Sequence, residues 1–369
     1  MGYGTIVADS ITTSDGYTIG GSGAHHLKNR IINGAMTIDQ RNAGSAVTVN
    51  ADAAFFASDR FQAAGQGSDG VYTIQRSATA PAGFANSIVA TVTTADSSIT
   101  ASQQYNVQQH IEGLNTADLA FGTASAKTVT LSFWVRSSVT GTFSGAIRNA
   151  AADRSYPFNY TINAANTFEQ KVVTIPGDQS GTWGVGTGIG LNVIWTLGAG
   201  TSRLGPANAW AGANYQGVTG QTNLIATNGA TWYLTGVQLE AGSTATSYDY
   251  RHHSVELQMC QRYYYTSGEL TNPANARGGY TGFPYSNGTE AYGSGKFAVS
   301  MRTAPTVTMF DNSGTSGTVT QAGQANGIAA TANSINIQGF YGVGKSSGSW
   351  ASTSSTYPIV GGFTASAEL

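Results

Sequence analysis

The 369-residue sequence predicts an all-β protein. Three observations carry that prediction. Short runs alternate apolar with polar side chains over about 4–8 residues, the period of a half-buried strand. Turns rich in Gly and Asn separate these runs at regular spacing, which is the pattern of a β-sandwich. Very few stretches have the apolar spacing of a helix, one of them near residue 255.

In chain order, residues 1–27 form a segment of their own. Thr5-Ile6-Val7-Ala8 and Tyr17-Thr18-Ile19 favour strand, but Asp15-Gly16 and Gly20-Gly21-Ser22-Gly23 interrupt them. So short a segment cannot bury enough apolar area to fold alone, and it is expected to pack against a partner. Residues 28–253 carry the main series of strands, expected at 71–75, 87–92, 108–111, 129–136, 141–148, 167–175, 190–195 and 231–239. Phe133 and Trp134 are neighbours in one of them, so one enters the core and the other covers an outer face.

Residues 254–265 are expected to be a linking helix. Ser254 is placed to accept a bond from a free amide at its start, and Glu256 suits the positive end of the dipole. Leu257, Cys260 and Tyr264 fall at i, i+3 and i+7, giving one apolar face. The run then passes into Tyr263-Tyr264-Tyr265-Thr266, which favours strand. Residues 266–369 read as a second, smaller β region with strands at 296–301, 306–310, 334–340 and 359–363, and with loops at 277–285 and 292–295. No repeat of fixed period appears.

Composition narrows the function. Charged residues are 10% of the chain against the about 25% usual for a soluble domain, and short polar side chains suit the exterior of a sandwich. A net charge of −2 with 17 scattered Lys and Arg lacks the basic stripe that neutralises phosphates, so nucleic acid is not an expected partner. Cys260 is the single cysteine, which excludes an internal disulfide framework and fits a buried, inert thiol. The start has no basic segment followed by an apolar core, and no run approaches the roughly 20 apolar residues of a membrane span. Neither secretion by a leader nor membrane insertion is therefore expected.

Signatures of catalysis are weak. A glycosidase needs two carboxylates roughly 5–10 Å apart. Asp59, Glu112, Asp118 and Asp153 form no cluster in sequence, although folding is able to gather them, and Asp59 beside Arg60 reads more simply as an ion pair or strand-end cap. His25-His26 and His252-His253 are poor metal grips, since strand neighbours point to opposite faces. The glycines at 184–190 lack the third Gly of a dinucleotide turn and the following helix, and Gly293-Ser294-Gly295-Lys296 is not a phosphate loop. No Gly-x-Ser-x-Gly elbow occurs. What remains is sugar binding, in which apolar sugar faces stack on flat aromatic rings held by a few polar anchors. Trp210 and Tyr215, in the loop at 206–222, and Tyr280, Tyr285, Tyr292 and Trp350, in C-terminal loops, are the candidates, since loops on a rigid scaffold carry most sites.

Several motifs occur in an order that resembles a module of tailed-phage fibre proteins. They are Asn29-Arg30-Ile31-Ile32-Asn33-Gly34-Ala35-Met36 through Gln40-Arg41; Ser58-Asp59-Arg60-Phe61, with Phe where Trp is commoner; and 129–136. Gln238-Leu239-Glu240-Ala241-Gly242, then Glu256-Leu257 and Cys260-Gln261-Arg262-Tyr263-Tyr264, and the ending Ala365-Ser366-Ala367-Glu368-Leu369 complete the series. The resemblance covers roughly residues 29–265 and the terminus. It implies a jelly-roll β-sandwich similar to carbohydrate-binding modules, carried on a homotrimeric virion fibre. Residues 1–27 would then anchor the fibre to other virion proteins of tail, neck or head, and 266–369 would form the tip. Leu257, Cys260, Gln261, Arg262 and Tyr264 would meet symmetry mates at a threefold axis, with plain domain core as the alternative for the apolar face. Gln261 and Arg262 would bond across chains or cap the sandwich.

The expected role is structural and adhesive: a non-enzymatic virion protein, assembled in the host cytoplasm, that presents a module for host-surface polysaccharide. A connector or decoration protein that binds only virion proteins is the alternative, followed by a polysaccharide depolymerase and a bacterial carbohydrate-binding module. No cofactor is implied. Related jelly rolls often carry a structural calcium, but no acidic loop of EF-hand type places one here.

Overall fold

A computed structural model describes residues 28–50, 54–66, 69–268, 279–285, 288–351 and 356–369, and the backbone of two short antiparallel strands, β1 (Ser10–Thr12) and β2 (Thr18–Gly20). His25-His26 and the expected docking of the N-terminal segment lie outside the described residues.

Next come β3 (Val47–Val49), β4 (Ala54–Ser58), β5 (Phe61–Gln66), β6 (Val71–Ser77), β7 (Ser87–Thr94) and β8 (Gln104–Glu112). They are followed by β9 (Val129–Ser137), β10 (Gly141–Arg148), β11 (Ser155–Ile162), β12 (Glu169–Ile175) and β13 (Ile189–Ala199). A short parallel pair, β14 (Leu204–Gly205) and β15 (Gly217–Val218), precedes β16 (Thr231–Ala241). Two antiparallel six-stranded sheets result, ordered β11-β10-β13-β8-β5-β4 and β12-β9-β16-β7-β6-β3. They face each other as the expected jelly-roll sandwich. Alternation along each strand sends one set of side chains into the space between the sheets. There Phe133 meets the edge of Trp195 at 5.8 Å and of Tyr160 at 5.2 Å. Trp232 donates from Nε1 to the Tyr160 hydroxyl at 3.2 Å, so its buried N–H is satisfied. Trp134, the neighbour of buried Phe133, lies half-buried on the outer face.

The helix α1 (His253–Gln261) starts one residue earlier than expected. His252, not Ser254, is its cap: the ring Nδ1 accepts from the Ser254 amide at 3.4 Å and lies 2.7 Å from the Ser254 hydroxyl. The apolar face is taken by the chain itself, with Cys260 and Tyr263 packed on Ile32 and Ile38 and Leu257 beside them. Cys260, Gln261 and Tyr264 are buried within one chain, so they do not present a face to a threefold axis. Arg262 caps the sandwich instead, with a bidentate pair to Glu112 of β8 at 2.9 and 2.6 Å.

Beyond the helix lie β17 (Tyr264–Thr266), β18 (Tyr280–Pro284), β19 (Glu290–Lys296), β20 (Thr306–Phe310), β21 (Thr318–Gln321), β22 (Ala325–Ala332), β23 (Gly339–Lys345) and β24 (Ile359–Ser366). The order β24-β18-β19-β23-β22-β21 closes on itself because β21 also pairs with β24. A small barrel results, with Tyr280, Met309, Phe340, Trp350 and Phe363 in its core. The last residues of β24 leave the barrel and lie between β17 and β20. Two expected loops, 277–285 and 292–295, thus contain strands, and the strand expected at 296–301 lies at β19 instead.

The C-terminal residues run back to the sandwich. Glu368 is bonded by both Arg41 and Arg60. Arg302 donates to the carbonyls of Ala367 and Glu368, each at 2.8 Å. Arg60 and Arg41 also lie 3.7 Å above the rings of Tyr263 and Tyr264. Asp59 and Arg60 are therefore not an ion pair with each other: Asp59 faces Arg41 at 3.5 Å and accepts from Gln40 at 2.5 Å.

Candidate functional site

Four exposed aromatic side chains gather on one outer surface of the barrel. Along β18 the buried Tyr280 and Gly282 alternate with exposed Thr281 and Phe283, and Tyr285 follows on the same side. Phe283 stands opposite Tyr292 of β19. Between β19 and β23 the pairing runs Ala291↔Val343 and then Ser294↔Tyr341, so β19 holds one extra residue, a bulge at Tyr292-Gly293. The bulge sets Tyr292 diagonally beside Tyr341. Their rings lie 5.7 Å apart and 12° from parallel, and Tyr285 leans on Tyr292 at 5.0 Å.

Four rings thus form a shelf across three strands, with Phe283 49%, Tyr285 49%, Tyr292 37% and Tyr341 54% exposed. Tyr292 donates its hydroxyl to Glu290 at 2.8 Å, and this bond holds the phenol protonated beyond its usual range. Exposed rings on paired strands, with phenol hydroxyls among them, can pack against the apolar face of a sugar or of another ring.

Tyr285 and Tyr292 of the six sequence candidates meet on this shelf; the other four do not. Tyr280 is 1% exposed, stacks on Phe340 at 5.6 Å and donates to the Ala291 carbonyl, so it is barrel core. Trp350 is 4% exposed and is core as well. Trp210 lies in an aromatic cluster of the sandwich with Phe121, Tyr156 and Trp183, its Nε1 bonded to the Pro176 carbonyl at 2.7 Å. Next to this cluster Leu119, Phe121, Trp183, Val185 and Leu191 line an apolar cavity of about 230 Å³. Tyr215 lays its ring over Gly205, where a Cβ would come within 2.2 Å of it. Sequence reading missed Tyr341 because the expected strand stopped at residue 340. The alternation of buried Phe340, exposed Tyr341 and buried Gly342 was the available signal.

The four carboxylates considered for catalysis are each engaged by other groups. Asp59 and Glu112 belong to the junction described above. Asp118 meets Arg30 at 2.8 Å, and Asp153 accepts from Asn149 at 2.6 Å. Among the described residues no group of three His, Cys, Asp or Glu side chains can hold a metal ion.

No family model matches the chain, and no curated protein does. Solved structures similar to it include a tailspike protein 4 domain of bacteriophage CBA120, described as enzymatically active, at 12% identity and TM-score 0.32. That match covers 58% of this chain and 22% of the tailspike chain, so this chain spans about a fifth of its relative. A putative sugar-binding protein of Bacteroides thetaiotaomicron is similar at 15% identity and TM-score 0.32, over 58% of this chain and 100% of the other. A family 11 carbohydrate-binding module of a Clostridium thermocellum cellulase is similar at 12% identity and TM-score 0.27, over 55% and 99%. What the site does rests on this chain's own residues.

Proposed function

We propose that the protein is an adhesive, non-enzymatic component of a phage virion fibre, and that it binds surface glycan through the shelf of Phe283, Tyr285, Tyr292 and Tyr341. The observation that carries the glycan reading is the near-parallel pair Tyr292 and Tyr341, each more than a third exposed on rigid strands. Large rings left in water on a sheet, where a core side would have buried them, mark a contact surface. The outer faces and edges of this stacked pair, with Phe283 and Tyr285 beside it, offer apolar contact to a chain of sugars. The virion setting is supported by the ordered motifs at 29–41, 58–61, 129–136, 238–242 and 256–264, with a homotrimer and attachment through residues 1–27 as the assembly they imply.

The test is binding of fluorescently labelled full-length protein to intact host cells, with soluble surface polysaccharide as competitor. Saturable, competable binding is expected. The double variant Tyr292→Ala/Tyr341→Ala should weaken it by about tenfold or more, the scale of a binding hot spot, with its unfolding temperature unchanged. Absence of binding by the folded protein, or undiminished binding by the double variant, overturns the assignment.

A further inference from the structure

On the outward face of the first sheet, four polar side chains stand in one row across four strands. His110 of β8 is opposite Asn192 of β13, Asn192 is opposite Arg148 of β10, and Arg148 is opposite Ser155 of β11. Directly opposed residues share a face, and the flanking Ile111, Leu191, Val193 and Ile147 turn into the core.

Arg148, like Arg136 and Arg302, forms no ion pair among the described residues, whereas most arginines of the sandwich do. Arg41, Arg60, Arg154, Arg251 and Arg262 each meet a carboxylate. The Arg148 Nη1 donates instead to the amide oxygen of Asn214 at 2.6 Å, and its Nε is buried without a partner. Burial and the charge of nearby Arg203 push it down to about 10, so it remains a cation at neutral pH. Beside it Asn192, 2% exposed, leaves its buried amide oxygen without a partner.

His110 completes the row. Burial holds it down to about 4, so the ring is neutral, and its Nδ1 lies 2.9 Å from a main-chain oxygen of Leu369, the last residue of the chain. A neutral ring that donates there keeps Nε2 as an acceptor. The loop that carries Asn214 is fixed at the end of the row, since Ser155 donates to the Ala213 carbonyl and accepts from the Tyr215 amide. In the next row Gln108 donates to Gln62 at 2.8 Å.

A guanidinium partly withdrawn from water with no counter-charge carries a cost, and a buried amide oxygen with no donor adds to it. Both costs fall in one row; in the row beside it Gln62 and Gln108 are followed by Ile194, Ala146 and Pro157. We propose that this row is a second binding site, selective for a carboxylate-bearing saccharide. The ligand carboxylate would pair with Arg148, and its hydroxyls would donate to Asn192 and bond to Gln108. The tyrosine shelf lies on a different sheet and contributes nothing to this site.

The test is thermal unfolding of the full chain with sodium glucuronate, against sodium chloride of equal ionic strength, glucose and sodium acetate. A ligand of the folded state raises the unfolding temperature by mass action. Glucuronate is expected to raise it above the chloride control, glucose not to, and acetate to do so less. Arg148→Met should abolish the glucuronate rise while unfolding, without ligand, at or above the wild-type temperature, because an unpaired, partly buried cation has been removed. If that variant does not fold, Arg148→Lys keeps the charge but loses the planar fork and should show a smaller rise. Tyr292→Ala/Tyr341→Ala should keep the full rise, which separates this site from the shelf. No rise with glucuronate, a rise retained in Arg148→Met, an undiminished rise in Arg148→Lys, or acetate equal to glucuronate would each overturn the assignment.

Discussion

Asp59 sits fully buried between Gln40 and Arg41. Burial raises its carboxyl from 3.8 to about 6, against the opposing pull of Arg41. The folded chain therefore holds this proton more tightly than the unfolded chain does. The resulting stability is fully present below about 3.8 and is lost as pH rises through about 6. Glu112 and His110 titrate the other way. Burial alone would raise Glu112, but bonds from Arg262 and Tyr263 hold it below its usual value, and His110 is held down by burial. The clean measurement is therefore a difference: between pH 4 and 7 wild type should lose about 2 kcal/mol relative to Asp59→Asn. Parallel stability profiles of the two proteins over that range would show that Asp59 does not change charge there. The sequence made Asp59 conspicuous but not its partners. Adjacency suggested Arg60, whereas the fold delivers Arg41 to Asp59 and Glu368 to Arg60, and such long-range choices leave no local trace.

Strands at 141–148 and 306–310 have the expected ends because their alternation is uninterrupted and turns bound them. The region 277–295 misled because its glycines read as turn residues. In β18 and β19 they make room for rings instead: a Cβ on Gly282 would come within 2.2 Å of the Tyr280 hydroxyl, and one on Gly295 within 2.1 Å of Phe340. That misreading hid the strands of the candidate site and turned Tyr280, a core residue, into a loop candidate. The helix was legible from Leu257 and Cys260, but its cap was not, since a histidine replaces the usual small polar residue. Gly293 tests the account of the bulge. A Cβ there would meet the Thr281 carbonyl oxygen at 2.1 Å and Gly282 Cα at 2.7 Å, both backbone atoms. Gly293→Ala should cost about 1–3 kcal/mol, as overpacking does, and should weaken cell binding by displacing Tyr292. An unfolding temperature equal to wild type would mean that the strands separate there freely and that the bulge does not fix the shelf.

The motifs that lie far apart in the sequence meet at one place in the whole molecule. Arg41, Asp59 and Arg60 come from the first part of the sandwich, Glu112 from β8, Arg262 and Tyr263 from the end of the helix, and Glu368 from the last residues. Their order along the chain was legible; their convergence was not, because each is locally an ordinary polar residue. The junction gives these scattered residues one physical role: it fastens barrel, helix and sandwich around shared charges. Strand β24 strengthens that coupling by serving the barrel with one end and β17 and β20 with the other. Glu368 is the element both sides share, since its carboxylate joins Arg41 and Arg60 while Arg302 holds its backbone carbonyl. Glu368→Ala leaves Arg60, only 2% exposed at its side chain, without a carboxylate. Breaking one partner of a buried pair costs about 3–5 kcal/mol, and here the loss falls on the link between two cores. Wild type should unfold in one calorimetric transition. In Glu368→Ala the barrel should melt ahead of the sandwich, giving two transitions of which the upper stays near the wild-type temperature. A single transition at the wild-type temperature in the variant would show that the two β regions are held together by their apolar contacts alone, and that the charged junction only decorates them.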